Sequence, residues 1–321
     1  MSYTLGHDHD AKLDPPRVQE VSPGVFAYIQ PDGTWFLNNT GFLVGSTGVA
    51  SVDACSTERR TRAYIEEIAK RSPRPVRTLI NTHHHGDHTH GNYLFGDATI
   101  VAHDRCREEV LAAGLPYFPG VFQDVDWGDL RVAPPFLTYS DRVTLYSDDL
   151  RCEVRYVGTP AHTTNDSIVW LPERSVLFTG DLIFNGGTPF MLMGSITGAI
   201  DVLENVIKPL SPQTIVPGHG DVCGQEAIDD VLGYLRFVLD LARRGKDAGL
   251  SPLEAARDNG LGPYAGRSDP ERIVGNLYRA YADLGAGQQG EQGEQGAKLN
   301  FATVLGDMVA YNGGKPLSCL A

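Results

Sequence analysis

The chain has 321 residues, with 27 Lys and Arg against 40 Asp and Glu, a formal net charge of −13 at pH 7. A surface of that sign repels phosphate backbones, and no basic run interrupts it, so nucleic acid is excluded as the main partner. Apolar residues make up 41% and charged ones 21%, the balance of a globular chain; the longest uncharged runs, 33–52 and 182–200, are broken by glycine and hydroxyl residues and are too polar to span a bilayer.

Residues 1–16 read as a flexible leader, with His7 and His9 beside Asp8 and Asp10 in a solvated tail. No basic-then-apolar pattern marks a secretion signal. Five scattered cysteines (Cys55, Cys106, Cys152, Cys223 and Cys319) form no CxxC pair, so the expectation is a cytoplasmic chain with reduced thiols. Strands are expected at Val18–Val21, Val25–Gln30, Leu37–Val44 and Val49–Val52, punctuated by the turn dipeptides Pro23-Gly24 and Asp32-Gly33. Thr57–Lys70 carries Tyr64, Ile65, Ile68 and Ala69 on one helical stripe. The short strand Val76–Ile80 then leads into a histidine cluster.

A second alternation follows. Val143–Tyr146, Cys152–Val157, Ile168–Leu171 and Val176–Phe178 read as strands, Ala199–Ile207 as helix and Thr214–Val216 as a last strand. Two halves, each of strands followed by helix, predict two sheets packed face to face with helices outside. Beyond Gln225 the pattern turns helical, with helices at Ala227–Arg244, Pro252–Asp258, Pro270–Leu284 and Phe301–Tyr311 and a low-complexity loop at 285–297. The division is a leader 1–16, a sandwich domain 17–224 and a helical extension 225–321 packed on it.

The segment Thr82-His83-His84-His85-Gly86-Asp87-His88 contains H-x-H-x-D-H just after a strand. Its motif positions supply three imidazoles and a carboxylate within six residues, a donor set suited to zinc or iron. Three later segments add to it: Gly158-Thr159-Pro160-Ala161-His162, Phe178-Thr179-Gly180-Asp181 and Val216-Pro217-Gly218-His219. Taken together, in this order and spacing, they resemble the metallo-β-lactamase superfamily over roughly residues 17–224. The resemblance implies an α+β fold, a four-layer αβ/βα sandwich with a metal pair at one edge. It implies that His83, His85 and His162 hold one metal, Asp87, His88 and His219 the other, and that Asp181 bridges them. Two Zn²⁺ are the expected cofactors, with iron or manganese as alternatives. Asp53, at the end of the Val49–Val52 strand, would support the histidine loop from behind the ligands. The bridging Asp marks hydrolase, lactonase and glyoxalase-type branches rather than typical β-lactamases. His84 and His90 match no ligand position and are read as making local hydrogen bonds; His103 is read as structural.

Such a metal pair activates water for attack on a carbonyl, with Asp87 as the catalytic carboxylate. Aromatic loops suggest a large, flat, apolar substrate: Trp35 and Phe36 at a hairpin tip, where the family often has a flap; Phe118 and Trp127 in the long segment 114–139; Phe190 and Met191 after the bridging Asp. Within the superfamily the chain is most similar to the cyclase/thioesterase enzymes of bacterial aromatic polyketide (antibiotic) biosynthesis. That resemblance rests on Val125-Asp126-Trp127-Gly128, Thr188-Pro189-Phe190, the helical C-terminal third and the tail Ala310-Tyr311-Asn312-Gly313-Gly314. It implies an aromatic or apolar acyl thioester on an acyl carrier protein, with ring closure and thioester hydrolysis. No nucleic acid or membrane partner is expected, and a homo-oligomer is compatible. The competing readings are a lactonase or glyoxalase II-like thioester hydrolase, an iron-dependent redox member, and a non-catalytic protein that keeps metal for stability.

Overall fold

A computed structural model describes residues 13–286 and 299–321. Most of the expected leader, with His7 and His9, and most of the low-complexity loop lie outside the described residues. The first sheet has seven strands in sequential order: β1 (Arg17–Ser22), β2 (Val25–Ile29), β3 (Thr40–Val44), β4 (Val49–Val52), β5 (Val76–Ile80), β6 (Thr99–His103) and β7 (Leu137–Tyr139). The first four pair antiparallel, β1–β2 and β3–β4 through short turns and β2–β3 through the longer segment 30–39. From β4 to β7 the pairing is parallel, which requires crossovers, and the chain supplies α1 (Glu58–Arg71), α2 (Gly86–Thr89) and α3 (Asp104–Ala113) there. Thr57 caps α1 by accepting from the Arg60 N–H.

The second sheet has five strands: β8 (Arg142–Ser147), β9 (Leu150–Tyr156), β10 (Ser167–Leu171), β11 (Val176–Phe184) and β12 (Thr214–His219), in the spatial order β12-β11-β10-β9-β8. Helices α4 (Ile196–Val202), α5 (Glu226–Asp247), α6 (Pro252–Asn259), α7 (Arg272–Ala286) and α8 (Phe301–Tyr311) follow or interrupt it. Alternation along each strand sorts side chains to opposite faces. In β2, Val25, Ala27 and Ile29 enter the core between the sheets, while Tyr28 packs outward with Tyr64 and Ile68 of α1. In β10, Val169 and Leu171 face the first sheet, while Ile168 and Trp170 join a core shared with α4 to α8. The result is the expected α+β sandwich, helix–sheet–sheet–helix, with the C-terminal helices layered on its second face.

Several local expectations are corrected. β3 starts at Thr40, because Asn38 and Asn39 turn their side chains onto the backbone of Ala54 and Pro217 instead of continuing a ladder. α3 was not expected; its only buried residues are Cys106 and Val110, too few to register as a periodic stripe. β11 runs on to Phe184, so Asp181 lies within the strand rather than at its end.

Leu277 on α7 is fully buried in the core shared with the second sheet. Leu277→Ala is expected to destabilise the whole chain by about 2–5 kcal/mol in a single denaturant transition. Separate transitions for the sandwich and the helical region would contradict a shared core.

Candidate metal centre

The seven predicted donors converge. His83 and His85 leave the end of β5, Asp87 and His88 occupy α2, His162 sits between β9 and β10, and Asp181 and His219 come from β11 and β12. Donor atoms of His83, His85, His162 and Asp181 lie within 4.8 Å of one another, as do those of Asp87, His88, Asp181 and His219. Asp181 is common to both groups. Glycine makes this approach feasible: a Cβ on Gly218 would sit 1.9 Å from Asp181 Oδ1.

Hydrogen bonds from behind set the protonation of each ring. His88 donates through Nδ1 to Asp53 Oδ2 (2.9 Å), His162 through Nδ1 to the Phe190 carbonyl (2.5 Å) and His219 through Nδ1 to the Gly33 carbonyl (3.0 Å). In its neutral form each therefore presents a bare Nε2. The Thr82 hydroxyl donates to Asp53 and so accepts from His83 Nδ1 at 3.1 Å. His85 is turned the other way, with Nε2 against the Met193 sulfur at 3.2 Å and Nδ1 facing inward. Asp53 anchors the set: it also accepts from the Thr82 N–H, and it holds a left-handed backbone angle of +60°.

This arrangement fits cations. His85 Nδ1 and His162 Nε2, both bare, lie 2.8 Å apart, so their lone pairs repel unless a positive charge is shared. His83 Nε2, His88 Nε2 and Asp181 Oδ1 are buried without a hydrogen-bond partner, although His88 Nε2 and Asp181 Oδ1 are only 3.0 Å apart. Burial pushes both carboxyls up, but His219, His88 and His162 around Asp181, and His88 and His219 beside Asp87, hold both well below the usual carboxylate range. Burial disfavours charge on His88 and His219, yet Asp181 foremost raises both, His219 to about 9. The centre demands positive charge; without metal, protons on the imidazoles supply it.

Above the donors lies a cavity of about 360 Å³. Of the expected pocket residues, Trp35, Phe36, Phe118 and Phe190 line it. Met191 does not: it is fully buried in the core. Trp127 does not either; it packs edge-on against Phe36 from behind, ring centres 5.0 Å apart. Phe122 and Met193 line the cavity and were left out of the expected pocket, as were Arg272, Phe301 and Leu305 from the C-terminal region. The expected flap is pinned: Gly33 holds His219, and Trp35 donates to Glu271 (2.6 Å) beneath the Arg272 guanidinium, 4.1 Å from its ring.

A model of the metallo-beta-lactamase superfamily matches residues 33–219, more than half of the chain. The chain belongs to that superfamily. Its members are metal-dependent hydrolases. Among relatives, the chain is 32% identical over 148 residues to a hydroxyacylglutathione hydrolase of Rhodospirillum rubrum, covering 46% of this chain and 47% of that protein. To a metallo-beta-lactamase type 2 of Bacillus cereus it is 27% identical over 204 residues, covering 62% and 70%. The chain thus spans about half the length of the first relative. In fold it is similar to a metallo-beta-lactamase from Pontibacter korlensis, with TM-score 0.58 and 17% identity over 69% of this chain and 99% of that one.

One wall of this superfamily site is held by a polar stripe on α7. Arg272 donates to the Thr188 carbonyl, Asn276 bonds the carbonyl of Pro189 and the N–H of Met191, and Arg279 donates twice to the Leu192 carbonyl. Asp283 accepts from Ser195 and from the Ile196 N–H at the start of α4. The clamped loop carries Phe190, which fixes His162, and Met193, which meets His85.

Two outcomes are expected. Below about pH 9 the raised His219 carries a proton that a cation must displace, so zinc uptake at pH 7 releases protons and the release shrinks above pH 9. Calorimetry in buffers of differing ionisation heat measures this; uptake with no proton release at pH 7 contradicts the assigned donors. Asp53→Ala frees the His88 and His83 rings and is expected to weaken zinc affinity about 10–100-fold, read by chelator competition.

Proposed function

We propose that the chain is a dinuclear zinc-dependent thioester hydrolase for bulky aromatic acyl groups, of the polyketide cyclase/thioesterase kind. The observation that supports this reading is the cavity: aromatic side chains of Trp35, Phe36, Phe118, Phe122 and Phe190 wall a space of about 360 Å³ directly over the donor cluster. His83, His85, His162 and Asp181 would hold one ion, and Asp87, His88, Asp181 and His219 the other. When bound, such a pair brings the pKa of water near neutrality and polarises a carbonyl.

The chain's own groups do the rest. Asp87 is on the cavity wall, and its carboxyl, held below the usual range, is ionised at neutral pH. An ionised carboxylate there orients a water by accepting its proton in a hydrogen bond. The aromatic rings stack on a flat acyl group and keep bulk water from it. Net hydrolysis breaks the carbonyl carbon–sulfur bond, adds the water oxygen to that carbon and leaves a carboxylic acid and a thiol. In a poly-β-ketone, ring closure would join a methylene carbon to a ketone carbon before release, the methylene losing one proton and the ketone oxygen gaining one to become a hydroxyl. A carrier-bound chain, a cytoplasmic setting and self-association are parts of this proposal; among the described residues no helix is long and apolar enough to cross a membrane.

A second reading has support from the hydroxyacylglutathione hydrolase of Rhodospirillum rubrum: hydrolysis of a small acyl thioester on a polar thiol. The apolar lining favours the first. Zinc-loaded protein offered an aromatic polyketide thioester, a small hydroxyacyl thioester and a lactone in parallel is expected to turn over the aromatic one with the highest kcat/KM. Chelation and Asp87→Ala are expected to abolish turnover with helical circular dichroism unchanged. Preference for the small thioester would select the second reading.

A further inference from the structure

Phe122 lines the cavity from a stretch with no helix or strand of its own, between the end of α3 at Ala113 and the start of β7 at Leu137. Its ring nonetheless meets three others, Trp35 and Phe36 with centres 5.2 Å away and Phe118 at 5.5 Å. Backbone outside a helix or ladder must find its partners elsewhere. Here they come from Leu317, beyond α8. The Leu317 N–H donates to the Val121 carbonyl at 2.7 Å, and the Leu317 carbonyl accepts from the Gln123 N–H at 2.9 Å. This isolated parallel bridge secures both peptide groups of Phe122. Leu317 can serve as the anchor because its own side chain is fully buried in the core shared with α4 to α8.

The same stretch reaches the other half of the aromatic wall. The Cys319 thiol donates to the Trp35 carbonyl at 3.8 Å. The Leu320 carbonyl accepts from the Arg60 guanidinium of α1 at 2.5 Å, and that guanidinium also donates to Gln30 Oε1 at 3.1 Å. Gln30 in turn donates to the Asn38 carbonyl at 2.7 Å, which closes the base of the hairpin carrying Trp35 and Phe36. At its root the stretch is turned off α8 by Asn312, whose amide donates to the carbonyls of Lys315 and Pro316. Two aromatic segments distant in sequence are thus tied to one strap, outside the span matched by the superfamily. No residue of 312–320 is on the cavity wall, so the strap acts on a ligand only by placing the rings.

We propose that residues 312–320 form a positioning strap that sets the cavity's selectivity for a flat aromatic acyl group, with Leu317 fixing Phe122. This deepens the reading of the cavity as the acyl site and rests on it.

The probe is a methyl naphthyl ketone, which offers no bond to hydrolyse, titrated into zinc-loaded full-length protein by calorimetry. Leu317→Pro removes the N–H that reaches Val121 while keeping an apolar side chain. It is expected to weaken ketone binding about tenfold and to shift zinc affinity, read by chelator competition, less than about twofold. Leu317→Ile, which keeps the N–H, is expected to stay within about twofold of wild type. Phe122→Ala is expected to weaken ketone binding similarly, and adding Leu317→Pro to it should cost nothing more, because the strap works through that ring. If Leu317→Pro does not fold, Asn312→Ala replaces it: Asn312 is exposed, and freeing the root of the strap is expected to cost about threefold, again with no further loss on top of Phe122→Ala. Unchanged ketone affinity in the strap variants, losses that add to that of Phe122→Ala, an equal fall in zinc affinity, or Leu317→Ile as damaging as Leu317→Pro overturns the proposal. Strap-dependent ketone binding without aromatic thioester turnover by the wild type sinks the hydrolase reading and leaves the strap standing.

Discussion

Two carboxylates and five imidazoles share one buried space, and the architecture around them serves to keep them there. Unpaired charge in such a place is costly, so the cluster is tolerable only with positive charge at its centre. What makes it able to hold a cation, rather than a tangle of hydrogen bonds, is that each of the five rings is committed elsewhere. His88, His162 and His219 each spend Nδ1–H on an outward acceptor, His83 does so through Thr82, and His85 faces Met193. Asp53 receives two of these chains at a backbone angle that non-glycine residues rarely adopt, a strain of about 1–3 kcal/mol that the surrounding bonds must hold.

The same logic explains why the C-terminal helices belong to the site although none of the seven donors lies on them. His162 depends on the Phe190 carbonyl and His85 on Met193, so both depend on the loop 188–197 holding its path. Loop backbone is seldom self-sufficient. Here α7 supplies the missing partners from Arg272, Asn276, Arg279 and Asp283, spaced so that one appears on each turn. Rigid placement of donors thus begins in the helical layer.

The donor positions were legible because they lie in short motifs whose order and spacing resemble the superfamily's, although Asp181 lies within β11 and His162 in a loop rather than at a strand end. Asp53 could be named for the same reason. The network behind them was less so: nothing in the string marks Thr82 as a relay, or Met193 rather than Met191 as the residue that reaches His85. Aromatic residues in an irregular, proline-interrupted segment signal contact but not with what, since neither a two-residue nor a 3.6-residue period applies. Hence Phe122 lines the cavity while Trp127 braces Phe36 from behind. The polar stripe on α7 was present in the spacing of 272, 276, 279 and 283, but charged residues on a helix ordinarily read as a solvated face; burial reverses that meaning, with Arg272 and Asn276 almost wholly inside. The fold was readable at the level of layers because alternation survives in β2 and β10, and it failed where side-chain amides of Asn38 and Asn39 replaced ladder bonds.

The candidate donors and part of the cavity wall therefore come from different parts of the chain. The span matched by the superfamily, 33–219, contains all seven donors. Arg272, Phe301 and Leu305, which complete the cavity, lie beyond it. Relatives that share the matched span share the part of the chain in which the seven candidate donors lie. They need not share the cavity's shape, because part of its wall comes from Arg272 on α7 and from Phe301 and Leu305 on α8. A fold of this kind can retain its candidate donors while an added layer reshapes the space above them.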